Sequence, residues 1–416
     1  MLAMVFVAFA ASICSAIIIC RALVVKSECR AFGTVWTSAI LSEYDSYLLD
    51  EYGIMAYWGN ESEVQKRLDS YIAYSAAGKL DAGFGFSSAE LTGYELGITD
   101  NFRKALENNL LYSSADDAIN RKKRADKDDA KTERKIANRL VINTLPSSGV
   151  DTSVNADSIT ERIKKAGNIE KMTQSISSAG VDVQFIRKVF GNRLTAGCND
   201  NAYFNNEWEY IISGKLDDEE NFKSCRNKLF LIRNALNLAF LYKDNGKREA
   251  LIAASELITP GPGAVLTQAV IAEVWAAAET ESDIKTLLDN GRVPFIKTDS
   301  SWKTDLGSII DSKDITGKLD DESIELLKEN EETIKSDTKG RGVRSEIKDG
   351  QTYDDYLMLM IVSLNENVRI LRIMDLVQIN MKFAHYRDFN LMEYYVGVRY
   401  NIKANGKTYE FEDKYK

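Results

Sequence analysis

The chain of 416 residues holds one histidine, four prolines and five cysteines. The lone histidine, His385, removes His-rich metal sites, HExxH helices and any catalytic pair of imidazoles. No proline occurs before Pro146, so nothing in the first third breaks a long helix. The cysteines are odd in number and contain no CxxC, which indicates neither a zinc ribbon nor a disulfide framework. An excess of basic residues is missing as well. Lys and Arg total 53 against 62 Asp and Glu, and the net charge of −9 lacks the basic footprint of a nucleic-acid binder. GxSxG, P-loop, GxGxxG and DxDxDG patterns are absent. These absences point away from an enzyme, and no catalytic, cofactor-binding or metal-ligating residue is assigned.

What is present is a globular composition, 44% hydrophobic and 28% charged, in a chain long enough for two or three folding units. Met1 to Cys20 carries no charged side chain. At a rise of about 1.5 Å per residue this run makes about 30 Å of helix, the thickness of a bilayer's hydrocarbon core. Arg21 can snorkel to the headgroups while Ala22–Val25 complete a transmembrane helix over 1–25. A cleaved signal peptide is the alternative, but the run exceeds the usual apolar length of roughly 7–15 residues and no basic segment precedes it. The opening Met-Leu-Ala-Met reads as if a short polar leader stood before it. Ala8 with Ser12, and Ala11 with Ser15, give small-residue faces that another helix can approach closely. Arg21, Lys26 and Arg30 follow the span, which by a literal positive-inside count places the bulk in the cytoplasm; large domains, however, translocate largely regardless of local charge.

Beyond the span, Phe32, Val35, Trp36, Ala39, Ile40, Tyr44, Tyr47, Leu48 and Tyr52 keep helical spacing. Thr37, Ser38, Ser42, Asp45, Ser46 and Asp50 fall on the opposite face, and Gly53 is placed as a left-handed C-cap. The pattern predicts one continuous helix of about fifty residues, about 75 Å long. Its second half should lay an apolar stripe on a soluble domain.

The rest reads as mainly α (α+β). Helices are expected over 61–77, 101–143, two short stretches within 158–194, 221–242, 246–257, 263–290 and 353–383, with a further exposed helix over 320–335. The mixed-charge run 121–135 reads as a solvated helix or arm, and 146–157 as a linker. Met392 to Lys403 alternates as a strand; Asn405-Gly406 supplies a two-residue turn and Tyr409 and Phe411 resume the alternation. That hairpin pairs Ile402 with Tyr409 and Tyr400 with Phe411, and needs a third strand, for which 87–98 is the candidate. The organisation is then a transmembrane helix (1–25), a helix extension with the first part of an ectodomain (26–100), and a charged helical region (101–195). A helical core (196–310), a charged insert (311–350) and a core helix with the C-terminal hairpin (351–416) follow.

Asp217–Glu220 suits a helix start, where acids meet the positive end of the macrodipole. His385, near a helix end, reads as structural. Cys14 and Cys20 read as small apolar residues of the span, and Cys29 is placed to pair between chains. Cys198 and Cys225 form a disulfide candidate if the domain lies outside the cytoplasm.

Several segments together resemble a known family. They are Leu41–Ile54, which contains Glu43, Tyr44, Asp45, Tyr52 and Gly53; Glu209–Lys215, with Tyr210 and Gly214; Asp218–Asn221; Leu231–Ala239; Val293–Lys297, with Pro294, followed by Trp302; and Tyr353–Leu357. This set resembles an uncharacterised, TadE/TadG-like family of Gram-positive bacteria whose genes accompany tight-adherence (Tad) pilus systems. One departure is that Met1–Cys20 holds no glutamate, which pilins proper place early in the apolar helix. The resemblance implies a membrane-anchored, extracytoplasmic, pseudopilin-like component or accessory of pilus assembly, non-catalytic and without a cofactor. Its partners would be membrane lipid and other pilus-assembly subunits met through the N-terminal helix, not nucleic acid. A membrane-tethered ligand-binding or sensor domain outside the cytoplasm stands as the alternative.

Overall fold

The computed structural model describes residues 2–76, 84–112, 144–148, 180–195, 201–307 and 350–415. Among these, eleven α-helices and two small antiparallel sheets make a mainly α, α+β chain. The chain divides into two compact units. The first comprises Met1–Gly149, Asp200–Tyr203 and Ile370–Lys416; the second comprises Val150–Asn199 and Phe204–Arg369.

Unit one begins with α1 (Leu2–Leu41) and continues through α2 (Ser46–Tyr52), β1 (Tyr57–Trp58), α3 (Glu61–Ala76), β2 (Gly85–Glu90) and α4 (Thr99–Tyr112). After the excursion through unit two it ends with β3 (Tyr394–Tyr395), β4 (Gly397–Ala404) and β5 (Lys407–Lys414). β1 pairs with β3, and β2, β4 and β5 form one antiparallel sheet in that order. A third strand does join the hairpin, but it is β2 (Gly85–Glu90), which shares only residues 87–90 with the 87–98 segment expected for it. The hairpin keeps the anticipated register, Ile402 opposite Tyr409 and Tyr400 opposite Phe411, because Asn405 (φ 50°) and Gly406 (φ 71°) take the left-handed conformations that a tight two-residue turn demands. Trp36, Ile40, Val64, Leu68, Val398, Tyr400 and Ile402 close the core over this sheet.

Three expectations for unit one change. The helix of about fifty residues is two: α1 stops at Leu41, and Asp45 becomes the N-cap of α2, accepting from the Leu48 N–H at 3.0 Å. Ser42 Oγ turns back to the Ala39 carbonyl at 2.7 Å, and such side-chain bonds compete with helix continuation. Gly53 is the left-handed cap (φ 61°), as anticipated, but of α2. The buried stripe of α1 keeps the expected Trp36 and Ile40, with Phe32 packed beside them, but is shifted at its other positions. Val25, Cys29, Gly33, Trp36 and Ile40 are inside, Thr37 is buried with them, and Val35 stands 61% exposed. Finally, strand structure starts at Tyr394, since Leu391–Glu393 forms a 3-10 turn that leaves Met392 exposed.

In unit two, α5 (Val181–Val189) and α6 (Glu207–Ser213) precede three packed helices, α7 (Asp218–Lys243), α8 (Asn245–Ile258) and α9 (Ala264–Leu288). Asp217 caps α7 by accepting from the Glu219 and Glu220 N–H groups, the helix-start role its acidic run suggested. Gly261 (φ 87°) turns the chain between α8 and α9. Leu241, Leu251, Ala254, Ile271, Trp275 and Trp302 form the core. The helix expected over 353–383 is broken into α10 (Tyr353–Ser363), in unit two, and α11 (Glu366–Ala384), which belongs to unit one from Ile370 on, because Asn365 takes the Asn367 N–H on its side chain and starts a new helix. The run 121–135, most of the expected linker (149–157), the first of the two short helices, Cys198, and the insert with its helix at 320–335 lie outside the described residues.

Candidate functional site

The feature best suited to a function is α1 itself. From Met4 it is long and apolar enough to cross a membrane, with a mean hydropathy of 2.3, and no residue of its most apolar window is buried. Phe6 is 74% exposed and Ile18 68%. In water such surface is unfavourable by about 25 cal/mol per Å². At Val25 the same helix changes partner: Val25 and Cys29 sit against Ala404, and Trp36 and Ile40 enter the main core. Glycine at position 33 is required there, since a Cβ would overlap the ring of Phe411. Tyr400 OH donates to the Gly33 carbonyl at 2.6 Å and shares a hydrogen bond with Thr37 Oγ1 at 3.1 Å.

Ala8, Ala11, Ser12 and Ser15 follow i, i+3, i+4, i+7 spacing, so they share one exposed stripe of the apolar stretch. Ser12 Oγ bonds back to the Ala8 carbonyl at 3.0 Å, which satisfies the hydroxyl within its own helix. Cys14 and Cys20 are exposed in the same stretch. Cys29 is not free to pair between chains: it is fully buried, and burial, aided by Glu28, pushes its thiol up to about 11.

The Leu41–Ile54 residues serve the joint after α1. Glu43 accepts from Arg67 at 2.5 Å and from Tyr71 OH at 2.7 Å, while Asp45, besides capping α2, accepts from Tyr394 OH at 3.3 Å. Tyr52 is buried and Tyr44 is exposed. His385 Nε2 meets Glu51 Oε1 at 2.5 Å, Asn201 donates to the same oxygen at 2.6 Å, and Tyr47 stacks on the imidazole with ring centres 3.9 Å apart. This arrangement fastens α2 to the end of α11.

In unit two Glu209, Tyr210, Lys297 and Trp302 enter the interior, Gly214 and Pro294 are half-buried, and Lys215 is exposed. Lys297 is buried and donates to Glu279 (2.5 Å), Asp283 (2.6 Å) and the Ser301 carbonyl (3.1 Å), which uses all three ammonium protons. Arg233, fully buried, bonds Asp283 (2.7 Å), Asn237 (3.0 Å), Tyr356 OH (3.0 Å) and the carbonyls of Pro294 (3.1 Å) and Phe295 (3.0 Å). Burial by itself raises the Asp283 pKa, but Arg233 and Lys297 outweigh it and hold the carboxyl below its ordinary range. Trp302 stacks on Phe240 and meets Trp275 edge-on. Sequence reading missed Arg233, Glu279 and Asp283. The usable signal was the i, i+4 pair Glu279 and Asp283 on α9, which falls on the same face as Ala272 and Ala276.

Glu209 lies in a second buried group. One carboxylate oxygen accepts from Tyr353 OH (3.0 Å) and the Arg193 N–H (3.2 Å), and the other is buried with no hydrogen-bond partner among the described residues. Burial raises its pKa to about 7. Tyr210 stacks on Phe204; Gly214 (φ 65°) caps α6 in the left-handed conformation. Lys215 takes part through its backbone, which exchanges two 2.8 Å bonds with the Asn221 side chain. Cys225, candidate partner of Cys198, is a buried thiol 3.3 Å from Ser213 Oγ. Among the described residues no group of acids, histidine and cysteines is gathered for a metal ion.

No curated protein and no solved structure matches the chain. A family model does, over a range that holds Glu209–Lys215, Pro294, Lys297 and Trp302 and leaves out α1 and the joint after it. With residues 120–406 matched, the chain belongs to DUF5702, a family of unknown function.

Proposed function

We propose that the protein is a single-pass, membrane-anchored structural protein with its bulk outside the cytoplasm, a non-catalytic, pseudopilin-like component or accessory of Tad-type pilus assembly. The observation that carries this reading is the change of surroundings along one unbroken helix. α1 exposes apolar side chains all round up to Val24 and then buries a single stripe in a sheet core from Val25 to Ile40. A helix built this way transmits position: whatever holds its first half in lipid or against a neighbouring helix also holds the sheet. The buried polar groups favour a scaffold over a catalyst, because the Lys297 and Arg233 donors are spent on internal partners. The link to Tad pili rests on the resemblance of the Leu41–Ile54, Glu209–Lys215 and Val293–Lys297 segments.

The compartment is tested by adding protease to intact cells that express the full chain. Digestion of the domain without lysis is expected; protection until the membrane is opened overturns the extracytoplasmic placement.

A further inference from the structure

Unit one contains a cleft of about 330 Å³ between α4, the residues that follow α2, and the end of β5. Ligand sites start at roughly this size. Met55, Ala105 and Val396 give it an apolar lining, while Lys104, Lys414 and Glu107 bring two positive charges and one negative. Both lysines are exposed and neither makes a salt bridge among the described residues, although Lys414 also acts on the Glu412 carboxylate, which lies outside the lining. The amide of Asn101, one turn before Lys104, is committed to the Gly93 and Glu95 carbonyls (2.9 and 3.0 Å), which fixes the start of α4.

The position of the cleft limits what reaches it. Tyr415, another lining residue, donates to the carbonyl of Leu41, the last residue of α1, at 2.6 Å. From Val25, where α1 leaves its lipid-compatible stretch, to Leu41 the helix advances about 24 Å. The cleft therefore opens well away from that stretch, and its occupant arrives through water. An apolar lining favours a hydrophobic body; two cations against one acid in the lining favour a single negative charge, held by charge-assisted hydrogen bonds. We propose that this cleft binds a small monocarboxylate with an apolar body. The inference does not depend on the pilus reading, and its failure leaves the anchoring role standing.

The test uses the full chain in phosphatidylcholine nanodiscs, with empty nanodiscs as control, and two probes: 4-(4-fluorophenyl)butyrate and its neutral amide, each followed by fluorine NMR line broadening. Saturable binding of the acid is expected, at least fivefold tighter than the amide. Lys104→Gln with Lys414→Gln should abolish that preference and leave the amide unchanged, since both side chains are solvent-exposed and carry no core packing. Ala105→Leu, which fills the cleft, should weaken both probes at least fivefold, with unaltered circular dichroism establishing that it folds. Equal binding of acid and amide, an unchanged preference in the double variant, or no saturable binding of the acid would each overturn the proposal.

Discussion

Glu209 and Lys297 are both buried, and they differ in what burial does to their charge. Lys297 meets two carboxylates and a carbonyl. Its replacement by methionine leaves Glu279 and Asp283 short of a counter-charge, and breaking such a buried network costs about 3–5 kcal/mol. Urea unfolding of Lys297→Met should show that loss, whereas Lys215→Met, at an exposed residue whose bonds to the Asn221 side chain come from its own backbone, should unfold close to wild type. Glu209 makes no ion pair among the described residues, and burial raises it from 4.5 to about 7. The folded state therefore holds this proton more tightly than the unfolded chain does. The associated stability is fully present below about pH 4.5 and is lost as pH rises to about 7. At most about 3 kcal/mol is involved. Thermal melts across this window should show a declining stability that Glu209→Gln flattens, because the amide oxygen still accepts from Tyr353 and needs no ionisation. An equal slope in wild type and variant would assign the pH dependence to other groups.

At the scale of elements, two short features decide how α1 serves the fold. The first is the Ser42–Asp45 turn. Asp45→Ala removes the α2 cap, worth about 1 kcal/mol, and also an acceptor for Tyr394, so a melting point lowered by a few degrees is expected. The second is Gly33. Gly33→Val pushes a branched side chain into Phe411, and overpacking of this kind costs about 1–3 kcal/mol. Reduced melting of unit one with unchanged helix content would match that expectation. The register of the hairpin was legible in sequence, since a period of two ending in Asn-Gly admits one register, although its first strand breaks at Val396 into β3 and β4 of different sheets. The joints were not. Asp45 and Asn365 fit the helical spacing on either side, and only their side-chain bonds to Leu48 and Asn367 make them breaks.

For the whole molecule, the proposed pilus-related role predicts association through the span. Ala8→Leu with Ala11→Leu roughens the small-residue stripe and should lower helix–helix association in the membrane without moving the melting point of either unit. Cys29, being buried, is unsuited to report it. A cysteine introduced at exposed Ser38 serves instead, with disulfide crosslinking in membranes as the measure. Unchanged crosslinking in the leucine variant would remove the stripe from the assembly mechanism.

Sequence by itself determined the apolar span, the helical character, the C-terminal hairpin and the third strand. The span, the helices and the hairpin register rest on local periodicity or on one turn, whereas the bounds of the third strand are set by its pairing with distant β4. The tertiary structure decided which line of α1 is buried, because Tyr400 and Phe411, more than 360 residues away, select Gly33 and Thr37 over Val35. It also decided that Lys297 and Glu209 are interior groups. A charged residue carries no mark of its burial in sequence; only folding brings up the counter-charge, or withholds it.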